Sequence, residues 1–230
     1  AAFPDDPTPI SMGNVETAII AYETLIIAAD TPYDRHLQGD DDALSTDARA
    51  GMDLFFSARL GCGGCHGGLF LDLPADASGA TLADTPEYLN VGMYNVDGAG
   101  GLPDEETGLH AQSGAASDMG RFRVPSRRGV AETGPWGHDG SFPSLGDIID
   151  AYARGGRLLV GGPYPGDGAL SPWKDPRITG FDLTETEKSQ LIAFLETLTD
   201  AAANARPLLQ TPWCPDEPDT ADAGCIPVEG

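Results

Sequence analysis

Apolar residues recur at helical spacing in four stretches of the chain, and long segments between them carry no such rhythm. After an opening Ala-Ala-Phe-Pro-Asp-Asp-Pro-Thr-Pro of linker composition, Val15, Ala18, Ile19, Tyr22 and Ile26 share one face and predict a first helix. Residues 31 to 44 read as a turn-rich, acidic connection. Ser45 then caps a second helix, whose Met52, Phe55 and Phe56 face inward and whose end delivers Cys62. From Gly67 to Gly120 the sequence is rich in Gly, Asp and Pro, which predicts long ordered loops rather than strands. A third helix starts at Ser144, with Asp147 completing a capping-box-like start and Gly155 a stop; Leu145, Ile148, Ile149 and Tyr152 share its apolar face. The last begins at Thr184 with Glu187 three residues on, and points Leu191, Ile192, Phe194, Leu195 and Leu198 inward.

Between the second helix and the loops lies Cys62-Gly-Gly-Cys65-His66, the segment with the most chemical content. Two thiols at this spacing can add across the two vinyl groups of one haem, and the following histidine is then held beneath the ring as an iron ligand. A structural zinc site would need two further nearby ligands, whereas Cys214 and Cys225 lie far along the chain. A thioredoxin-like dithiol would follow a strand in a βαβ pattern, which is missing here. The residues therefore predict one covalent haem c, bound through Cys62 and Cys65 with His66 as proximal ligand. An early helix leading to the haem motif and a late amphipathic helix suit a mainly α fold, a cytochrome c-like haem domain with long ordered loops. Residues 1–40 are expected to form an interdomain linker and a helix packing on the haem domain. Residues 41–200 would form that domain, and 201–230 an irregular tail.

The chain of 230 residues carries 36 Asp and Glu against 13 Lys and Arg, a formal charge of −23. No basic stripe could neutralise phosphates, so nucleic acid is excluded as a partner class. The acidity reads as a solvated surface, with a cationic partner or bound Ca²⁺ as alternatives. Covalent haem attachment takes place outside the cytoplasm, which predicts a periplasmic or extracellular protein. Cys214 and Cys225 could close a short loop as a disulfide in that compartment. No signal-peptide pattern opens the chain, so any such segment is expected to have been removed or to lie upstream. The longest apolar runs, such as 25 to 29, are too short to span a bilayer.

The sixth iron position separates electron carriers from peroxidases, and the residues alone leave it open. Met93 and Met119 lie in loops after the haem motif, Met52 reads as core, Met12 is remote, and His138 and Tyr152 are further candidates. For an isolated tyrosine on an apolar helix face, ordinary packing is the default.

The segment from Asp118 through Gly-Arg-Phe-Arg-Val-Pro-Ser-Arg-Arg-Gly-Val-Ala-Glu-Thr-Gly-Pro-Trp-Gly-His-Asp-Gly to Ser141 resembles the signature of the bacterial di-haem cytochrome c peroxidase and MauG superfamily. Its C-terminal haem domain is the part resembled. Asn14, Asp34-Arg35, Gly51-Met-Asp-Leu-Phe-Phe and the stretch from Leu183 to Thr199 extend the likeness over roughly residues 3 to 200. Gly51 to Leu60 and Gly92-Met-Tyr-Asn-Val-Asp-Gly98 are similar to an MbnH-like branch. The resemblance implies a sixth ligand fourteen residues beyond His138, at Tyr152, and so replaces the packing reading of that tyrosine. It also places His138 near the haem, and implies Ca²⁺ on the backbone carbonyls of Thr133 and Pro135.

The implied function is the six-coordinate half of a di-haem enzyme that uses peroxide to oxidise a protein substrate by long-range electron transfer. The peroxide-reactive haem domain is expected outside this sequence, as an N-terminal domain or a second haem chain, so no catalytic residue is assigned within it. Trp136, Trp173 and Trp213 are candidate electron relays, each weighed against ordinary packing. Departures from the family pattern occur at Arg127-Arg128-Gly129, where Leu-Arg-Asn is common, and at Trp136-Gly137. Two other readings remain: a single-haem electron carrier with a methionine ligand, and a haem-bearing interaction module of an extracellular assembly.

Overall fold

The computed structural model describes residues 3–202 apart from 25, 27, 77–79, 104 and 105. Cys214, Cys225 and Trp213 therefore lie outside the described residues. Thr31–Thr199 forms one compact unit, and the described residues of Ala1–Asp30 and Asp200–Gly230 belong to a second.

In the second unit, α1 (Met12–Glu23) is capped by Ser11, whose hydroxyl accepts from the Asn14 amide. The expected face forms, but no residue of α1 is buried, and the helix stops before Ile26. Val15 and Ile19 are about half exposed, at 43% and 51%.

The larger unit opens with α2 (Pro32–Leu37), a short helix where the sequence predicts only a connection. Six residues are too few to show a 3.6-residue period, yet the end signals are present. Thr31 and Asp34 form a reciprocal capping box, and Pro32 occupies the first turn, where its missing N–H is no loss. The Asp34 carboxylate also takes a 2.7 Å ion pair from Arg128, with side chains only 9% and 6% exposed. Burial alone would raise the Asp34 pKa, but hydrogen bonds from Arg128 and Thr31 outweigh it and hold the carboxyl below its usual range. A depressed carboxyl stabilises the fold above its unfolded pKa, about 3.9, and that contribution is lost as pH falls through the lower, folded value. Arg128→Ala should cost about 3 kcal/mol at neutral pH by leaving the buried carboxylate without its cation. Urea unfolding at pH 7 and pH 3 checks this: the loss should be largest at pH 7, and an equal loss at both would remove the ion pair as the cause.

Helix α3 (Thr46–Phe56) is capped by Ser45 as expected. A short strand β1 (Tyr88–Leu89) and a single turn α4 (His110–Ser113) interrupt the stretch expected to be loops rather than strands, and strand β2 (Phe122–Arg123) follows just beyond it. β1 and β2 pair antiparallel, with Leu89 opposite Phe122. The loops around them are held by buried amides. Asn90 accepts from Gly92 N at 2.9 Å and donates to the Met119 carbonyl at 3.0 Å. Asn95 accepts from Gly100 N at 2.8 Å and donates to the Asp167 carbonyl at 2.9 Å. Each side-chain amide so replaces the backbone pairing that a loop lacks. Helix α5 (Leu145–Arg154) ends at Gly155 in the left-handed conformation, φ 81°. Strands β3 (Leu158–Leu159) and β4 (Gly166–Asp167) pair antiparallel, and α6 (Glu185–Glu196) closes the unit behind a Thr184/Glu187 capping box.

Helices α3 and α6 cross closely because Gly51 has no side chain: a Cβ there would sit 1.9 Å from the Gln190 carbonyl oxygen. Their contact builds one core from Phe55, Leu191, Phe194, Leu195 and Leu198, joined by Tyr33, Val130, Leu145 and Ile149. Phe194 is fully buried, with Phe55 and Tyr33 rings 5.3 and 5.4 Å away. A second cluster gathers Met93, Tyr94 and Phe142. α5 serves both, through Leu145 and Ile149 on the first and Ile148 and Ala151 on the second.

Candidate haem-binding site

The cysteines stand just beyond α3. The helix stops at Phe56, and the chain turns through Gly61 in the left-handed conformation, φ 69°, into a short 3-10 turn over Cys62–Gly64. His66 follows, its amide bonded to the Cys62 carbonyl at 3.0 Å. Helix α3 therefore positions the motif without containing it. Gly63 lets the turn lie on the Phe56 ring, since a Cβ there would come within 2.7 Å of it.

Both cysteines are free thiols. Burial pushes the Cys62 pKa up to about 12 and raises that of Cys65 as well, so both stay protonated at neutral pH. A redox dithiol needs the opposite, a thiol pKa brought down toward neutrality. Among the described residues no group of three or more His, Cys, Asp or Glu side chains could hold a metal ion.

His66 is prepared as a ligand through one nitrogen. Its Nδ1 lies 3.0 Å from the Leu71 carbonyl, a bond that requires Nδ1–H and leaves the Nε2 lone pair pointing the other way. Burial, reinforced by Arg127, holds its pKa well below the usual value, so the imidazole is neutral. Leu71 presents that carbonyl from a left-handed backbone, φ 55°, rare for a leucine and costing on the order of 1–2 kcal/mol. The residue is almost fully buried, and its packing sustains the strain.

Facing Nε2 is the Arg127 guanidinium, whose Nε and Nη2 lie 3.2 and 2.9 Å away. Ser126, Arg127 and Arg128 are clipped to the loop after the motif: Ser126 Oγ and Arg127 N donate to the Phe70 carbonyl, and Arg128 Nε donates to that of Leu69. No carboxylate among the described residues pairs with Arg127. Burial lowers its pKa, and Tyr152, Cys62 and Cys65 lie near enough to oppose that shift if ionised. Tyr152 stands in the last turn of α5; burial raises its phenol pKa, while Arg127 opposes that rise. Two thiols, an imidazole lone pair and a phenol thus lie within electrostatic reach of one guanidinium that has no carboxylate partner among the described residues. A covalent haem fits this set: vinyl groups for the thiols, iron for the imidazole, carboxylates for the arginine.

Met93 is buried in the cluster of Tyr94 and Phe142, and Met52 packs against the main core. His138 stacks on Phe122, ring centroids 3.8 Å apart, and its Nε2 lies 3.0 Å from the Glu106 carboxylate. Thr133 and Pro135 occupy an exposed loop, so any ion there would rest on backbone carbonyls. The Leu71 carbonyl and Arg127 escaped the sequence reading as site groups. Only the unusual Arg127-Arg128 pair hinted at the second.

No family model matches the chain. Similarity to known proteins is nevertheless extensive. It is 31% identical over 201 residues to cytochrome-c peroxidase IdrP1 of Denitromonas iodatirespirans, covering 82% of this chain and 50% of the relative. It is 27% identical over 190 residues to the methylamine utilization protein MauG of Methylorubrum extorquens, covering 83% and 45%. Among solved structures, a MauG-like protein associated with microbial copper homeostasis superposes with a TM-score of 0.79 at 39% identity, over 90% of this chain and 59% of that one. The chain spans about half the length of the curated relatives it matches. Fold and relatives together define a mainly helical chain of the haem c protein class. The chain belongs to the superfamily of bacterial di-haem cytochrome c peroxidases and MauG.

Proposed function

We propose that this chain is the six-coordinate haem half of a peroxide-using oxidase, with haem c bound through Cys62 and Cys65 and ligated by His66 and Tyr152. It would work outside the cytoplasm, in the periplasm or beyond the cell, with a second haem domain on the same precursor or another chain. Its electrons would come from a protein substrate by transfer over a distance. The observation that supports this reading is Arg127, which bonds His66 Nε2 at 2.9 Å and lies within electrostatic reach of Cys62, Cys65 and Tyr152.

A haem bound there supplies one-electron redox chemistry, and a phenolate ligand favours its ferric form over the ferrous. The protein's part is positional. The Leu71 carbonyl fixes the His66 ring, so Nε2 is the ligating atom. Arg127 places positive charge beside a tyrosine oxygen that must be anionic to ligate. Phe55, Cys62, Val130 and Ile149 belong to an apolar wall that keeps water from the ring. Any calcium would rest on Thr133 and Pro135 and takes no part in this assignment. Among the described residues no helix is long and apolar enough to cross a membrane.

The test is the ferric absorption spectrum of the full chain matured with covalent haem, together with its peroxide turnover alone. A six-coordinate tyrosinate spectrum is expected, with turnover that is slow until the second haem half is supplied. A methionine–iron charge-transfer band, or brisk turnover by the lone chain, would overturn the assignment.

A further inference from the structure

Beside the pocket, the second cluster holds a phenol and a carboxylate in an arrangement that core packing alone does not require. Tyr94 is buried, and its hydroxyl donates to Asp139 Oδ2 at 2.5 Å. Asp139 is fixed by three further groups. Ser141 N and Oγ donate to its Oδ1 at 3.0 and 2.6 Å, and Arg157 Nη1 donates to Oδ2 at 3.2 Å. Burial would raise the Asp139 pKa, but the hydrogen bonds from Ser141 and Tyr94 and the adjacent His138 outweigh it, so the group rests as a carboxylate. The Arg157 guanidinium lies 5.7 Å from the Tyr94 ring centroid and 4.9 Å from that of Phe142.

Aromatic rings connect this pair in two directions. Inward, Trp136 packs against both clusters, touching the core that contains Phe55 and Cys62 on one side and the Tyr94 group on the other. Its indole is held by a 2.7 Å bond to the Val130 carbonyl. Ala151, the neighbour of Tyr152 on α5, also packs against the Tyr94 cluster. Outward, the Tyr164 ring meets Tyr94 edge-on, centroids 6.2 Å apart, and is 41% exposed. Trp136, packed against both clusters, and the Tyr94–Tyr164 ring pair so lie between the main core and solvent.

We infer that Tyr94, with Asp139 as its proton acceptor and Tyr164 as its surface contact, is a relay through which electrons enter the haem site. This rests on the haem assignment above. Tyr94 gives one electron to a peroxide-oxidised haem. Its O–H bond breaks, and the proton crosses to Asp139 Oδ2, leaving a neutral phenoxyl radical and a carboxylic acid. The Tyr94 ring never bears the charge of a radical cation, whose burial would be costly, and the positive charge left by the departing electron stays on Arg157 once Asp139 is protonated. Tyr164 then gives one electron to Tyr94 while Asp139 returns the proton, and the Tyr164 phenol proton leaves to water. A reducing protein at the surface restores Tyr164 with one electron, and water supplies the proton. One electron is lost by the donor and one is gained by the haem.

The experiment uses the full haem-loaded chain, with haem content confirmed by its absorption, and a flash-generated ruthenium(III) oxidant in place of peroxide. Electron paramagnetic resonance should show a tyrosyl radical that disappears in Tyr94→Phe. Asp139→Asn should slow its formation at least tenfold and make the rate depend on buffer base. Tyr164→Phe should keep the Tyr94 radical but slow its reduction by an added donor severalfold. A solvent isotope effect on radical formation in the unaltered protein reads the proton step without any variant. A radical unchanged in Tyr94→Phe, or formation with no isotope effect, would overturn the relay. Because the oxidant is external, those results leave the haem assignment standing, and a chain without covalent haem would fail that assignment while the radical still formed.

Discussion

Replacing Cys62 and Cys65 together by alanine is expected to abolish covalent haem, so that no haem travels with the chain on a denaturing gel or survives acidified-acetone extraction. Each thioether forms when an S–H adds across a vinyl group. The two thiols are protonated, unpaired and presented by one rigid turn, as that addition needs. A single alanine should leave one thioether and a shifted absorption maximum after denaturation in pyridine. The fold of the apolar core should outlast the double change, because Cys62 packs only at the margin of the core that Phe55, Leu191, Phe194 and Leu198 build, and alanine keeps its Cβ. Haem still fixed to the double variant would mean that the attachment site is elsewhere.

The readability of this site follows from how its chemistry is encoded. Cys62, Cys65 and His66 are local: thiols two residues apart and a following imidazole fall on one turn, so spacing alone carries the meaning. The caps at Ser45, Ser144 and Thr184 are local for the same reason, since each hydroxyl meets an amide three residues on. Helix α2 was missed because its burial comes from contacts distant in the chain, above all Arg128, and not from a repeating face. The missing core of α1 is the opposite case, a clear periodic pattern without buried side chains.

Long-range groups were not legible from composition or period. The Leu71 carbonyl matters because a left-handed backbone turns it toward His66, a conformation that leucine as a residue type does not announce. Arg127 and Arg128 are adjacent and chemically alike, yet one faces the pocket and the other pairs with Asp34. Tyr94 and Asp139 are 45 residues apart, and only the ordering of the loops by Asn90 and Asn95 brings such segments to fixed positions. Tyr152 lay between these cases. Its helical face was plain, but its direction toward the pocket depended on the resemblance.

That direction yields the second large effect. Tyr152→Met should raise the reduction potential of the haem by on the order of 0.1–0.3 V, as read by spectroelectrochemical titration, since axial ligands tune haem potentials over about 0.8 V. A phenolate oxygen donates charge that stabilises ferric iron, and a neutral thioether favours ferrous iron. Methionine suits the position mechanically, because it is at least as good a helix former as tyrosine and flexible enough to reach from the same turn of α5. Losing the negative phenolate near Arg127 leaves the site more positive, which acts in the same direction. Tyr152→Phe separates ligation from packing: the ring stays, the oxygen goes, and the ferric haem should become high-spin and bind added cyanide or imidazole more rapidly. If both variants kept the parent spectrum and potential, Tyr152 would be a packing residue of α5, and the sixth ligand would have to come from another part of the chain.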